Sequence, residues 1–358
     1  MCVDAVCKIY IPFMTNISGM EYRKVVKLGR STLVVSLPKK WVELNSIKWH
    51  DNVLLTIQAD GSIAIYPEAT RKGESREITL SVSPEDENLL SRKVIACYLS
   101  GYSSVQLVST HIFSVRQRQI VRDLCQKLYM RIMDASAKEI RIESLVELSK
   151  VPFDTGIRRM HVITLSMCKD SMKAVAELDK NLANAVISID DEVDNFSLLL
   201  QRLTRSVSYN IVLANQIGLQ LVDCFDFQTV VQRIEHIGDY AVNIARSVLM
   251  METEKRQLSS SKLDSLVRLG DSAHAIYDGA IKSFFAADIE AANKVLELKV
   301  STGQSLQEMV RTIFSSEEED PLALFVLYTI MNSLVRIADL GGEIAEATID
   351  RATNKLGK

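Results

Sequence analysis

The chain has 358 residues, 47% of them apolar and 24% charged, with a formal net charge of −3. This is the composition of an ordinary globular protein, long enough for two or three domains that each bury a core. Near neutrality excludes a nucleic-acid role argued from the whole chain, so any such role must rest on a local basic patch.

The opening stretch Met1–Met20 carries Asp4 early and is interrupted by Pro12, which argues against a secretory signal; Met14 and Met20 are alternative starts. No apolar run approaches the about 18 residues of a membrane span, so no membrane insertion is expected. The cysteines, Cys2, Cys7, Cys97, Cys125, Cys168 and Cys224, are dispersed and read as reduced, mostly buried thiols in a cytoplasmic, reducing compartment. Five of the six prolines precede residue 153, and Pro321 stands alone in the 205 residues that follow. Because proline breaks helix interiors, the two parts are expected to differ in fold class, with the second helical nearly throughout.

From Tyr22 to Pro67 the pattern alternates. Val25, Leu33, Val35 and Leu37 sit between polar residues, and Val53–Ile57 leads through Ala59-Asp60-Gly61 to Ile63–Tyr66. Asp-Gly between two β-rich runs predicts a hairpin. Pro38 can start a short helix over Lys39–Leu44 from its first position. The piece is too small to bury a core alone and lacks disulfides, so it is expected to dimerise. Arg23, Lys24, Lys27 and Arg30 fall within eight residues of it. Such a cluster suits phosphate contacts on duplex DNA. A solvated edge strand guarded by lysines is the alternative.

These residues resemble the AbrB/MazE/SpoVT swapped-hairpin family. The likeness rests on Arg23-Lys24, Lys27-Leu28-Gly29-Arg30, Leu37-Pro38-Lys39-Lys40, and Asp51 and Val53 followed by Asp60-Gly61 and Pro67. It implies an intertwined homodimer over residues 20–68 that binds operator DNA through Arg23, Lys24, Lys27 and Arg30.

From Arg76 to Val151, strand-like runs at Glu77–Val82, Val105–Ser109 and Glu139–Leu145 alternate with helical runs at Glu87–Ser100 and Ser114–Met133. This predicts a small α/β segment over 77–151, with Gly101 at a left-handed helix cap. It has no phosphate-cradling glycine motif, and its role stays open.

From Gly156 onward, apolar spacing of three and four predicts six helices, at roughly 156–181, 184–218, 226–252, 260–284, 286–312 and 321–355. The predicted breaks include Asp223–Asp226 and Ala286–Asp288. The body also repeats internally. Asn184–Ile189 corresponds to Asn293–Leu298, and Arg233–Asp239 is in helical phase with Leu334–Asp339. Two related three-helix bundles follow, over 156–252 and 260–355.

Two acidic motifs stand in the first bundle. Asp190 and Asp194 are four residues apart, as are Glu235 and Asp239, so each pair projects from one helix face. Like charges at that spacing cost an isolated helix about 0.2–0.5 kcal/mol per pair. A hard cation such as Mg, Mn or Fe between facing helices would reverse that penalty, and Asn243, one turn beyond, can add a neutral oxygen. A solvated acidic face is the other reading. Catalysis has little support: the chain has no Ser-His-Asp spacing, nucleophile elbow, P-loop or Rossmann fingerprint, and it is not expected to be an enzyme.

Glu235-His-Ile-Gly-Asp239-Tyr-Ala-Val-Asn243-Ile-Ala245 resembles the signature helix of the PhoU family, and Asp190–Asp194 is similar to that family's second acidic motif. The resemblance implies tandem three-helix bundles over about 156–355, with metal on the acidic motifs and a role in regulating phosphate uptake. In the second bundle Val335 replaces the leading Glu, and Lys299 and Gly303 replace the facing acids, so a second metal site is not expected. His236 stands where the family has Arg and is not assigned as a ligand. The pairing of head and body is similar to archaeal phosphate-uptake regulators. It implies a homodimeric DNA-binding transcription regulator with a metal-binding sensor body. The alternative is an adapter that does not bind DNA and docks on a phosphate transporter ATPase or sensor protein.

Overall fold

The computed structural model describes residues 21–57, 61–67, 76–83, 87–254, 258–314 and 320–356. It divides into two compact units, Met1–Glu74 and Ser75–Lys358.

In the first unit, β1 (Val26–Leu28) pairs antiparallel with β2 (Thr32–Val34). The helix α1 (Lys39–Leu44) follows, and then β3 (Val53–Ile57) pairs with β4 (Ile63–Pro67). Pro38 is the N-cap of α1 rather than its first helical residue, since its ψ of 129° is extended. Ala59 and Asp60 of the expected turn lie outside the described residues; Gly61, at φ +80°, takes the left-handed backbone that glycine tolerates. Among the described residues of this unit none is buried, and Trp49 and Ile57 are 88% and 80% exposed. One copy therefore folds as small β segments without a core of its own. The strand exchange implied by the swapped-hairpin resemblance is not part of this single-chain fold.

The second unit begins with a four-stranded sheet in the order β5-β6-β8-β7. Its strands are β5 (Glu77–Ser81), β6 (Ser104–Val108), β7 (Met130–Ala135) and β8 (Glu139–Ser144). The β5–β6 pair is parallel, and its crossover helix is α2 (Glu87–Leu99). The second helix, α3 (Val115–Lys127), opens with a capping box of Ser114 and Gln117. Leu90, Val94, Tyr98, Val105, Leu107, Val121, Ile140 and Ile142 make the core of this layer. The expected helix 114–133 is corrected here. It stops at Lys127, Tyr129 turns left-handed (φ 50°), and Met130–Ala135 pairs with β8 as a strand.

The body holds α4 (Phe153–Glu177), α5 (Lys180–Tyr209), α6 (Ile211–Ile217), α7 (Leu221–Thr253), α8 (Ser260–Ala286), α9 (Ile289–Phe314) and α10 (Pro321–Leu356). The expected second helix is thus two. Asn210 ends α5, and its side chain accepts from Leu213 N to cap α6. The expected break at Asp223–Asp226 lies inside α7; the break falls earlier, where Gly218 (φ 70°) ends α6.

The repeat continues beyond the matched sequence. Leu178-Asp179 and Ala287-Asp288 form the same corner: a left-handed residue, then an aspartate whose Oδ1 caps the next helix. One continuous core runs through both halves, from Phe153, Ile157 and Met160 to Leu334, Ile337 and Ile344. Helix α10 is, by length and composition, apolar enough to cross a membrane (mean hydropathy 1.6 over one window), which the sequence reading did not anticipate. Its Leu327, Ile330, Leu334, Ile337 and Ile344 are core residues packed with α7, α8 and α9.

Candidate functional site: an acidic face under a lysine

Helices α5 and α7 pack along much of their length. A methyl built on Gly238 of α7 would stand 3.4 Å from Asp190 Oδ1. The Asp190 carboxylate thus packs on α7 at Gly238, in the turn that carries Glu235 and Asp239. The structure therefore brings Asp190 and Asp194 of α5 against Glu235 and Asp239 of α7.

Their electrostatics report the crowding. Burial, then Asp194 and Asp239, push the Asp190 carboxyl up to about 6. Burial, then Asp239, Asp194 and Asp190, push Glu235 up to about 7. Asp239 is raised by burial and by Asp194. Each of these groups resists ionising first because it is drawn out of water and then because the neighbouring carboxylates carry like charge.

Asn243 lies one turn beyond Asp239, half-buried, with its carbonyl accepting from Ser247. His236 is exposed, and its Nε2 lies 3.4 Å from Glu235 Oε2.

Sequence reasoning missed the cation that serves this face. Lys127, the last residue of α3, places Nζ 2.6 Å from Asp194 Oδ2 and also draws Glu235 down against the raising effect of burial. Nothing in the sequence signals a contact across 67 residues between two fold layers. Arg246, on α7, lowers Asp190 and Asp239 and was missed too. Beside this cluster Arg159 bridges Glu192 at 2.6 Å.

The donor set is all hard oxygen, which fits Mg²⁺, Mn²⁺ or iron in kind. It is not gathered as a finished ligand set. Among the described residues no three of His, Cys, Asp or Glu converge closely enough to hold one ion, and Asp194 already faces an ammonium.

The corresponding face of the second bundle carries its cations within the body. Lys299 of α9 lies 3.4 Å from Asp339 and Arg336 3.5 Å from it, while Arg233 of the first bundle bridges Glu343. An added methyl on Gly342 would stand 2.6 Å from the Lys299 Cδ, so that glycine gives the lysine stem its path. Beside Lys299 a cavity of about 330 Å³ opens at Gly303 and Val335, two of the positions where the acidic pattern lapses.

In the head, Arg23 pairs with Glu21 and donates to Ser36 Oγ at 3.1 Å. Lys24, Lys27 and Arg30 are exposed and, among the described residues, have no ion-pair partner. Lys27 lies on β1 and Arg30 in the turn that Gly29 (φ 66°) opens.

Residues 157–248, which contain both acidic motifs, match the PhoU domain family. The chain is 20% identical to a phosphate-specific transport system accessory protein PhoU homologue of Clostridium acetobutylicum, over 57% of this chain and 95% of that protein. It is 22% identical to one of Borreliella burgdorferi, over 52% of this chain and 85% of that protein. The crystal structure of PhoU from Pseudomonas aeruginosa superposes with a TM-score of 0.50 at 21% identity, covering 57% of this chain and 96% of its own. This likeness shows that the body has the PhoU fold.

Proposed function

We propose that this chain, whose residues 157–248 form a PhoU domain, is a regulatory accessory protein of phosphate transport: an adapter whose helical body docks on a phosphate transporter ATPase or sensor protein and restrains phosphate uptake. The observation that carries this reading is coverage. The likeness to a phosphate transport accessory protein extends over 95% of that protein's length, which supports a whole-protein role of that kind over a borrowed fragment.

An apolar surface supports docking. Phe225 in α7 and Phe325 in α10 are 67% and 56% exposed, and each carbonyl accepts from a threonine one turn on, Thr229 or Thr329. A large exposed aromatic ring at the same place in both repeats is a poor use of apolar surface unless something covers it. The reading is tested by titrating full-length chain onto the purified ATPase subunit of a phosphate transporter. Phe225→Ser and Phe325→Ser together should weaken binding at least about tenfold with no loss of thermal stability. Absence of wild-type binding to the ATPase subunit, and to the sensor protein titrated in the same way, removes the adapter reading.

The acidic face is proposed as a site for a divalent metal or iron, and no catalytic role is assigned to it. A reducing, cytoplasmic setting is part of this proposal; the thiols of Cys97, Cys125, Cys168 and Cys224 are buried and dispersed.

A second reading concerns the head. Lys24, Lys27 and Arg30, exposed and with no ion-pair partner among the described residues, on a unit none of whose described residues is buried, favour a homodimer that touches duplex DNA as a transcription regulator. Transport regulation by the body and DNA binding by the head are compatible. The transport names of the relatives favour the adapter first.

A further inference from the structure

We propose that the hollow in the second bundle is a binding site for a small amphipathic monoanion, an apolar body carrying one carboxylate, and that Lys299 holds the charged end.

The site follows from how the two halves of the repeat differ. Asp190, Asp194 and Glu235 of the first bundle correspond to Lys299, Gly303 and Val335 of the second. Three carboxylates of one half thus become an ammonium, a hydrogen and an isopropyl group in the other. The loss of two acid side chains leaves space. Lys299, Gly303 and Val335 all line the cavity of about 330 Å³, a volume at the lower end of ligand sites. A methyl built on Gly303 meets nothing within 4 Å, so the room begins at the backbone of α9. The rest of the wall is chiefly apolar, with Leu269 from α8, Leu296 and Leu306 from α9, and Ala338 from α10. All three helices of the bundle contribute, so an occupant ties them together and stabilises the folded state by linkage.

The change of charge selects the head group. Lys299 Nζ lies 3.4 Å from Asp339 Oδ1, its one ion-pair partner among the described residues, which leaves ammonium hydrogens for a second acceptor. Its stem lies across Gly342, where a methyl would stand 2.6 Å from Cδ, and this path keeps the ammonium at the wall of the hollow. Asp339 is also met by Arg336, and Glu343 by Arg233. Three cations therefore face two carboxylates here, and the head of an anion answers the excess. Lys299 and Asp339 keep 31% and 34% of their side-chain exposure, so a ligand reaches them. Glu346 lines the same hollow about 10 Å further along α10 from Asp339, at 1.5 Å per residue, and repels an anion. The two ends thus differ in sign, which directs the carboxylate to Lys299 and leaves the apolar body to the leucines. A wholly hydrophilic anion such as inorganic phosphate would leave that apolar wall without a partner, so an amphipathic one fits better.

The test uses the full chain and octanoate as the probe. Octanol, which lacks the charge, and inorganic phosphate, which lacks the apolar body, are the controls. Calorimetric titration should show octanoate binding wild type on the order of fivefold more tightly than octanol, with phosphate failing to displace it. Lys299→Met should bring octanoate down to the affinity of octanol and leave octanol unchanged. Gly303→Leu, which fills the hollow, should weaken both by about tenfold or more without lowering the melting temperature. Val335→Phe fills the hollow from α10 and repeats the test should Gly303→Leu fail to fold. No octanoate binding by wild type, or undiminished binding by the filled variants, overturns the site. Octanol binding as tightly as octanoate, or displacement by phosphate, overturns the amphipathic anion.

Discussion

Arg351 Nε lies 3.4 Å from Asp223 Oδ1, joining the C-terminal turns of α10 to the first turn of α7. With Arg233 on Glu343 and Arg336 near the Tyr240 hydroxyl, this pair shows the two third helices of the repeat running antiparallel, each bridging the other bundle. The Arg351 guanidinium also lies 4.5 Å and 4.8 Å from the Phe227 and Phe284 ring centres, in the aromatic heart of the core. At 14% and 15% exposure the pair is mostly desolvated, so removing Arg351 takes a counter-charge from a carboxylate largely out of water. Arg351→Met should cost about 2 kcal/mol in denaturant unfolding, with the double change to Arg351→Met and Asp223→Asn costing less than the sum of the singles. Additive losses would show that the two residues act separately.

Two sets of buried titratable groups pull stability in opposite directions as pH changes. His161 and His274 face each other's helices across α4 and α8; burial lowers both, His274 to about 4, against the raising effects of Asp278 on His161 and Asp271 on His274. Their folded values lie below the unfolded value of about 6.5, so below that pH the unfolded chain takes up protons that the folded chain refuses, and stability falls toward pH 4. Glu235 behaves oppositely. Its folded value of about 7 lies above the unfolded one, so its penalty is full above pH 7 and disappears as pH falls through that value toward 4.5. In metal-free protein, Glu235→Gln should stabilise by about 1–2 kcal/mol at pH 8, after allowance for partial exposure, and by nothing at pH 4. His274→Gln should flatten the loss between pH 6.5 and 4. Melting curves across pH check both, and a Glu235→Gln effect independent of pH would remove the crowding argument.

The extent to which the fold is legible in the sequence follows the range of the forces involved. The helical body is readable from apolar spacing because helix amphipathicity is local, and the repeat is readable because Asp239 and Asp339 fall at one helical phase. Strand β7 is not, because the apolar run from Leu124 through Leu128 to Ile132 has no glycine or proline to mark its break; a left-handed Tyr129 makes the turn instead. The α6–α7 boundary was misplaced for the converse reason. Polar Asp223 and Asp226 suggest a loop, yet Asp223 is inside a helix because Arg351 from the far end of the chain answers it. The acidic set was legible as two i, i+4 pairs. Lys127 was not, since only the packing of α3 on α5 brings it there.

The head supplies the next expectation. With no buried residue among those described, it leaves Trp49, Ile57 and Leu28 exposed, apolar surface that a second copy would cover. Full-length chain should sediment as a dimer at micromolar concentration, and Ile57→Asp should weaken that dimer by about tenfold or more. If the dimer binds duplex DNA, Arg30→Ala should lower affinity and flatten the salt slope by roughly one unit, as the loss of one phosphate contact requires. A monomeric wild-type chain ends the dimer reading, and an unchanged slope removes Arg30 from any DNA interface.

The metal reading of the two bundles yields the most discriminating comparison. In the first bundle Asp190, Asp194, Glu235 and Asp239 crowd together, with Asn243 one turn on, and Lys127, His236 and Arg246 offset them in part. In the second, Asp339 and Glu343 are already bridged by Lys299, Arg336 and Arg233. A bound ion stabilises the folded state in proportion to the logarithm of its concentration over its dissociation constant, by about 2.7 kcal/mol at a hundredfold excess. Added Mn²⁺ should therefore raise the melting temperature of wild type, and Asp194→Asn with Glu235→Gln should abolish the rise. Asp339→Asn with Glu343→Gln should lower the starting stability, since it strands Arg233 and Lys299, yet keep most of the rise. Equal loss in both variants would mean that the ion binds without regard to the crowded face. No rise in wild type would leave the four acids as a face for solvent or for a cationic partner.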